Sequence, residues 1–112
     1  MTTEEICDKN ENIHRFMGHR VEDGWCYLWD GFNTRFQSSI LKYNTSWDEL
    51  MPVVEKISIT AHVDIKIQKA GGCSIWVDGV MIAGAYNGTT IEQVYSCVER
   101  YITWHNAQNK TL

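Results

Sequence analysis

"CSIWVDGVMIAGAY", residues 73–86, is the stretch that decides the fold. Asp78-Gly79 stands there between two apolar segments, and Asp-Gly is a strong signal for a two-residue hairpin turn because both residues accept positive φ. The predicted partners are Val77 with Val80 and Ile75 with Ile82. Since paired residues share a face of the sheet, one face is apolar throughout. The opposite face carries Trp76, Met81 and Ala83.

The preceding segment, "AHVDIKIQ" (residues 61–68), alternates apolar and polar residues and predicts a strand with one buried face. The loop that follows sets its register: two loop residues put Ile65 on the face of Trp76, whereas three put it on the face of Ile75. We expect three, because register follows the face that must be buried. The opposite, mixed face then carries His62, Asp64, Lys66, Trp76, Met81 and Ala83.

A second Asp-Gly pair, Asp30-Gly31, lies in "WCYLWDGFNTRF" (residues 25–36) and predicts another hairpin. A two-residue loop pairs Trp29 with Phe32, Tyr27 with Thr34 and Trp25 with Phe36. The rings then form an aromatic wall on one face, made of Trp25, Tyr27, Trp29, Phe32 and Phe36. We expect this wall to pack in the core, with stacking on a ligand as the alternative.

The segment "SWDELMPVVEKI" (residues 46–57) has helical periodicity but contains Pro52, the one proline of the chain. A proline in a helix interior removes a hydrogen bond and destabilises the helix by about 3 kcal/mol. Ser46 and Glu49 form a capping-box pattern. We therefore expect a helix that starts near Ser46, runs through Pro52 with a bend or tightening at 48–52, and turns Trp47 and Met51 onto the sheet.

Two further helices are predicted near the ends of the chain. The first covers residues 3–18, with Thr3 as its N-cap and Gly18 as its stop. The last begins with a capping box of Thr90 and Gln93. Together the elements predict one α+β domain, residues 1–112, in the order α-β-β-α-β-β-β-α. We expect a mostly antiparallel sheet of four to five strands flanked by three helices, an αβα sandwich.

Composition and motifs exclude several functional classes. The net charge of −4 and the scattered basic residues argue against nucleic-acid binding. The chain lacks an apolar run of about 18 residues and a signal peptide, which predicts a cytoplasmic protein that does not enter a membrane. Its four cysteines lie far apart, and no nucleophile elbow, phosphate loop or zinc helix occurs. The sequence therefore predicts neither a metal nor another cofactor and favours a protein that is not an enzyme.

Three blocks of the sequence resemble a known family. They are "FMGHR" (16–20), "SWDELMPVVEKI" (46–57) and "VERYITWHN" (98–106). In matching order they are similar to motifs of the small phage-type αβα-sandwich proteins of bacterial prophages, which have no established activity. Tyr101 stands where that family tends to Phe, and His105 where it tends to Tyr. The resemblance implies helices flanking a sheet and a phage or prophage protein in the bacterial cytoplasm.

Three functions follow as hypotheses. The first is a non-enzymatic module that binds a host or phage protein, or a second copy of itself as a homodimer. Its candidate surface comprises His62, Lys66, Trp76 and Met81, because Trp and Met among polar groups are typical of interfaces. The second is a protein that acts against host defence by binding or sequestering a nucleotide-like small molecule, stacked on Trp25, Tyr27 and Trp29. The third is a cysteine-dependent enzyme, which requires a reactive thiol.

Overall fold

The computed structural model describes residues 2–27, 35–68 and 72–110. These residues form three α-helices and six strands in two three-stranded antiparallel sheets. The predicted α+β class is confirmed, but the predicted single sheet of four to five strands is wrong, because the strands divide into two sheets. The first half of the described chain contains α1 (Thr3–Phe16), β1 (Val21–Glu22), β2 (Trp25–Tyr27), β3 (Arg35–Gln37), a short 3-10 helix (Ser38–Ile40) and α2 (Trp47–Ser58). The second contains β4 (Val63–Gln68), β5 (Gly72–Val77), β6 (Val80–Ala85) and α3 (Thr90–Lys110).

The first sheet has the order β1-β2-β3. Asp23-Gly24, with φ of 50° and 79°, connects β1 to β2, so a third Asp-Gly turn was overlooked in the sequence. Cys26 pairs with Phe36, which is one residue away from the predicted register. Phe36 therefore shares a face with the buried Cys26 and not with Trp25, and the predicted single wall is wrong at this position. Trp29, Phe32 and the Asp30-Gly31 turn lie outside the described residues.

The second sheet has the order β4-β5-β6. Ile65 pairs with Ile75, which confirms the three-residue alternative for the register, and Val77 pairs with Val80 as predicted. A β-bulge then shifts the register so that Ile75 faces Ala83, and the predicted pair of Ile75 with Ile82 is wrong. The extra residue in β6 reverses the faces beyond it. Ala83, predicted on the mixed face, is therefore buried at 4% exposure.

Helix α2 runs through Pro52 as predicted. Its buried residues are Leu50, Val53, Val54 and Ile57, spaced as one helical stripe. The predicted placement of Trp47 and Met51 on the sheet is wrong, since they are 39% and 44% exposed. Burying each of the four stripe residues contributes about 1.5–3 kcal/mol, which outweighs the hydrogen bond that Pro52 removes. The bend at 48–52 stays a prediction.

The caps of α1 and α3 lie one residue before their predicted positions, and the cap of α2 lacks the predicted hydrogen bond. Thr2, not Thr3, caps α1, because its Oγ1 accepts a 3.1 Å hydrogen bond from the Glu5 N–H. The capping box of α3 is Thr89 with Glu92, not Thr90 with Gln93. Two hydrogen bonds from Thr89 to the Glu92 carboxylate hold the pKa of that carboxyl below its usual value. Ser46 occupies the N-cap position of α2 without a side-chain capping bond.

Helix α1 is fixed to the core by two buried polar side chains. The Asn10 amide donates to the Leu41 carbonyl at 3.1 Å, and its Oδ1 accepts from the Tyr95 hydroxyl at 2.9 Å. One turn later, His14 is 1% exposed. Because a buried polar group left without a partner is costly, these bonds fix α1 relative to both the 41–44 segment and α3.

The partners of His14 determine its protonation state. Its Nε2 lies 2.9 Å from the Tyr27 carbonyl oxygen, which can only accept, so Nε2 carries a proton. Its Nδ1 then accepts from the Tyr43 hydroxyl at 3.1 Å. Burial lowers the pKa of His14 and outweighs the hydrogen bond to the Tyr27 carbonyl, which raises it; the stacked His19 ring, 4.4 Å away, lowers it further. Burial also raises the pKa of Tyr43 to about 12, which keeps this hydroxyl a donor. His14 is therefore neutral in the folded protein.

The neutrality of His14 predicts loss of stability on mild acidification. The unfolded chain binds a proton at His14 as the pH falls through its ordinary pKa of about 6.5, whereas the folded protein resists protonation. The free energy of unfolding, measured with urea, should therefore fall between about pH 7.5 and 5.5. His14→Gln should reduce this slope, while His62→Asn, which removes a histidine with a 76% exposed side chain, should retain it. An unchanged slope in His14→Gln would contradict this assignment.

Two glycines with similar φ provide a matched test of packing at the second sheet. Gly72 and Gly79 have φ of 88° and 79°, so alanine strains both by about 1–2 kcal/mol. At Gly72 a Cβ would also lie 2.5 Å from the Ala85 carbonyl oxygen, whereas Gly79 faces open space. We expect Gly72→Ala to lower the free energy of unfolding by about 1–3 kcal/mol more than Gly79→Ala. If urea unfolding showed the same loss of unfolding free energy for both variants, the strands would have to move apart at Gly72 to accommodate the added methyl group.

Candidate functional site

The second sheet is covered by helices on one face. Helix α3 packs on β5 and β6, and α2 packs on β4. The strand residues that enter this core are Val63, Cys73, Ile75, Ala83 and Ala85. By the alternation of strands, the opposite face, here called the open face, carries Asp64, Lys66, Gln68, Ser74, Trp76, Met81, Gly84 and Tyr86. Met81 and Tyr86 are 46% and 58% exposed, so this face is accessible to a partner.

Trp76 lies near the centre of the open face. Its Nε1–H donates to Ser74 Oγ at 2.9 Å, which satisfies the polar edge of the indole. The Lys66 Nζ lies 4.9 Å from its ring centroid, a cation-π distance. The indole is therefore held in place by its neighbours while it stays only half-buried. A side chain ordered before contact loses little entropy on binding.

Tyr86 extends the apolar surface from Trp76 toward the end of β6. Its hydroxyl donates to the Met81 sulfur at 3.4 Å. Its ring packs where two glycines leave room: a Cβ at Gly84 would lie 2.9 Å from the Tyr86 hydroxyl oxygen, and a Cβ at Gly72 would lie 2.5 Å from a ring carbon. The glycines therefore let the tyrosine ring lie close to the strands. Trp76, Met81 and Tyr86 together form the apolar strip.

The structure brings three of the four candidate surface residues onto one face. Lys66, Trp76 and Met81 lie there together, since Lys66 covers Trp76 and Trp76 pairs with Met81. His62 lies apart from them, at the end of the sheet near the turn, where its imidazole is 3.5 Å from the Asp78 carboxylate. The sequence analysis did not identify Tyr86, because the predicted register assigned the side chains after Ile82 to the wrong faces of the sheet. Only the bulge, which nothing in the sequence marked, places Tyr86 beside Met81.

The alternative stacking residues are not assembled into an open platform in the described part of the chain. The Arg35 guanidinium carbon lies 4.6 Å from the Trp25 ring centroid, and that of Arg20 lies 3.9 Å from the Tyr27 ring centroid. One face of each ring is thus already covered by a cation. Trp29 lies outside the described residues. The hypothesis of nucleotide stacking at this place stays a prediction.

The cysteines do not form a reactive centre in the described residues. Cys26, Cys73 and Cys97 are buried and Cys7 is half-buried, and all four are free thiols. Burial raises the pKa of Cys26, and that of Cys97 is raised by its neighbour Cys73 and by burial. The hydrogen bond with Cys97 lowers the pKa of Cys73, but this thiol is only 1% exposed and lies in the core, where no substrate reaches it. A thiol that resists ionisation is a poor nucleophile.

Among residues 2–27, 35–68 and 72–110, no group of three or more His, Cys, Asp or Glu side chains is arranged to hold a metal ion. The helices in these ranges include none with the length and apolar character needed to cross a membrane. Comparisons of the chain with protein-family models, curated proteins and solved structures find no match.

Proposed function

We propose that this protein is a binding module without catalytic activity, whose open face contacts a protein partner. The apolar strip supports this proposal, because Trp76, Met81 and Tyr86 lie side by side on an accessible face. Trp, Tyr and Met are enriched in the cores of interfaces, and covering the part of each side chain that is still exposed contributes about 25 cal/mol per Å² of apolar area. The apolar strip is thus the part of the open face whose burial by a partner contributes most to the free energy of binding.

The polar groups beside the apolar strip favour a protein as the occupant. Asp64 and Lys66 are exposed neighbours of opposite charge on β4, and Gln68 follows them. A polar rim around an apolar centre is the usual anatomy of a protein interface. A nucleic acid would instead require a continuous basic track, and Asp64 interrupts any such track on this strand.

The resemblance to prophage proteins suggests the setting of this interaction. We infer a phage or prophage accessory protein that acts in the bacterial cytoplasm. The occupant to which we commit is a protein of the host or the phage, with an apolar patch to match Trp76 and Met81. A second copy of this chain is the competing occupant. Light scattering distinguishes the two, because it measures whether the purified protein in solution has the mass of a monomer or of a dimer.

Two methionines of almost equal exposure provide the test. Met81 is 46% exposed on the open face, and Met51 is 44% exposed on α2. After a partner is captured from a bacterial lysate and purified, its affinity is measured by calorimetry for both lysine variants. Met81→Lys should weaken binding by about tenfold or more, since it puts a charge in the interface core. Met51→Lys should leave the affinity unchanged.

Trp76→Ala is the second variant, because it removes an anchor without adding a charge. It should weaken the purified complex as Met81→Lys does, while circular dichroism reports a folded protein. Binding that is insensitive to both open-face variants, or equally sensitive to Met51→Lys, would contradict the proposal. A dimer that Met81→Lys dissociates would identify a second copy as the occupant.

A further inference from the structure

A cleft with a volume of about 740 Å³ lies where the three helices meet. Arg15 and Phe16 come from the end of α1, Lys56 from the last turn of α2 and Thr60 from the segment after it. Helix α3 closes the other side with Tyr101, His105 and Asn106. The volume falls within the range of small-molecule sites, about 300–1,000 Å³. This cleft, here called the helix-end cleft, shares no residue with the open face.

The charge of the helix-end cleft is opposite to that of the whole chain. The chain carries 14 acidic and 10 basic residues, yet the lining includes Arg15 and Lys56 and not one carboxylate. Lysine and arginine near a helix C-terminus compensate the partial negative charge of its carbonyls. The Lys56 ammonium does this by donating to the Phe16 carbonyl. That bond takes one of its three N–H donors, so the ammonium can also bind an anion.

The two cations of the cleft differ in how firmly they are held. The Lys56 Nζ lies 4.7 Å from the Phe16 ring centroid, so its position is set by both the ring and the carbonyl of this residue. Arg15 donates to Asn12 at 3.2 Å through one terminal nitrogen and is otherwise exposed. Because a guanidinium has five N–H donors, most of those of Arg15 are open to a ligand. One ordered cation and one exposed cation at the border of the same cleft favour an anionic group.

The wall of the helix-end cleft is aromatic and interlocked. The Phe16 ring meets Tyr101 edge-on at 6.3 Å and His105 edge-on at 5.7 Å. Tyr101 and His105, one helical turn apart on α3, are stacked with centroids 6.0 Å apart. Such a packed cluster has little freedom to collapse into the space beside it. It therefore offers a preformed apolar surface to a flat group.

We propose that the helix-end cleft binds a small anion that carries a planar ring. The phosphate or carboxylate contacts Lys56 and Arg15, and the ring packs against His105 and the part of the Phe16 ring that Lys56 leaves uncovered. Two sources supply this shared chemistry: a nucleoside monophosphate and an aromatic carboxylic acid. The proposal is independent of the proposed protein-binding function, because the two sites use different residues on different elements.

Calorimetric titration of the purified protein at low ionic strength tests the inference. The probes are AMP, phenyl phosphate, benzoate and inorganic phosphate. We expect saturable binding of a probe with a ring, with phenyl phosphate about fivefold tighter than inorganic phosphate because of its aromatic contact. Tighter binding of AMP identifies a nucleotide, and tighter binding of benzoate identifies an aromatic acid. Absence of saturation by every ring-bearing probe at millimolar concentrations would overturn the proposal.

Variants then locate the bound anion. Arg15→Gln and Lys56→Gln should each weaken binding about tenfold, the effect of losing a hydrogen bond to a charged group. Lys56→Arg keeps the charge and should restore most of the affinity. Lys42→Gln, which removes an exposed charge outside this lining, is the matched control and should retain wild-type affinity. If Lys42→Gln weakened binding as much as the cleft variants do, the proposed location of the site would be overturned.

Because Lys56→Gln also removes the bond to the Phe16 carbonyl, it can destabilise the fold. Arg15→Gln avoids this destabilisation, since the Arg15 side chain is exposed and its one hydrogen bond within the described part of the chain is to Asn12 of its own helix. Circular dichroism and urea unfolding identify the variants that remain folded. A folded Arg15→Gln with unchanged affinity for phenyl phosphate counts against the proposal regardless of the result at Lys56.

Discussion

The packing of α3 against one face of β5 and β6 is the constraint on which the rest of the structure depends. The helix presents a continuous apolar stripe of Val94, Tyr95, Cys97, Val98, Tyr101 and Ile102. It meets small residues of β6, Ala83 and Ala85, which the bulge turns inward and which let a helix lie close to the strands. Since α2 covers β4 from the same side, the helices bury one face and leave the other accessible. The open face is thus a direct consequence of where α3 binds.

Polar bonds fix the N-terminal third of the described chain to this core. Asn10 connects α1 to Tyr95 on α3, and His14 connects it to the carbonyl of Tyr27 in the first sheet. Such bonds contribute only about 1 kcal/mol each in net stability, yet a buried group left unpaired costs more than that. They therefore select one position of α1 among many that would bury Ile13 equally well. The first sheet has short strands, and His14 gives it a defined attachment.

The sequence was informative where a local signal fixes local geometry. The Asp78-Gly79 turn, the pairing of Ile65 with Ile75 and the helix through Pro52 were all predicted from patterns within about ten residues. The sequence was misleading where a shift of one residue moves every later side chain to the other face of the sheet. This occurs at the bulge of β6 and in the register of Cys26 with Phe36. On α2, Val53 is as apolar as Met51, so periodicity could not decide which faces the sheet.

The one-residue shift at the bulge of β6 also determines which side chains form the open face. With the predicted register, Ala83 would have stood beside Trp76, and Tyr86 would have entered the core; the bulge exchanges them and gives the open face its exposed tyrosine. The helix-end cleft could not be predicted from the sequence either, because its cations, Arg15 and Lys56, lie 41 residues apart and come together only where two helices end. Helix α3 connects both places: Arg100 donates to the Gly84 carbonyl under the open face, and the next residue, Tyr101, forms the cleft wall. Helix α3 therefore helps to build both surfaces, although they use different residues.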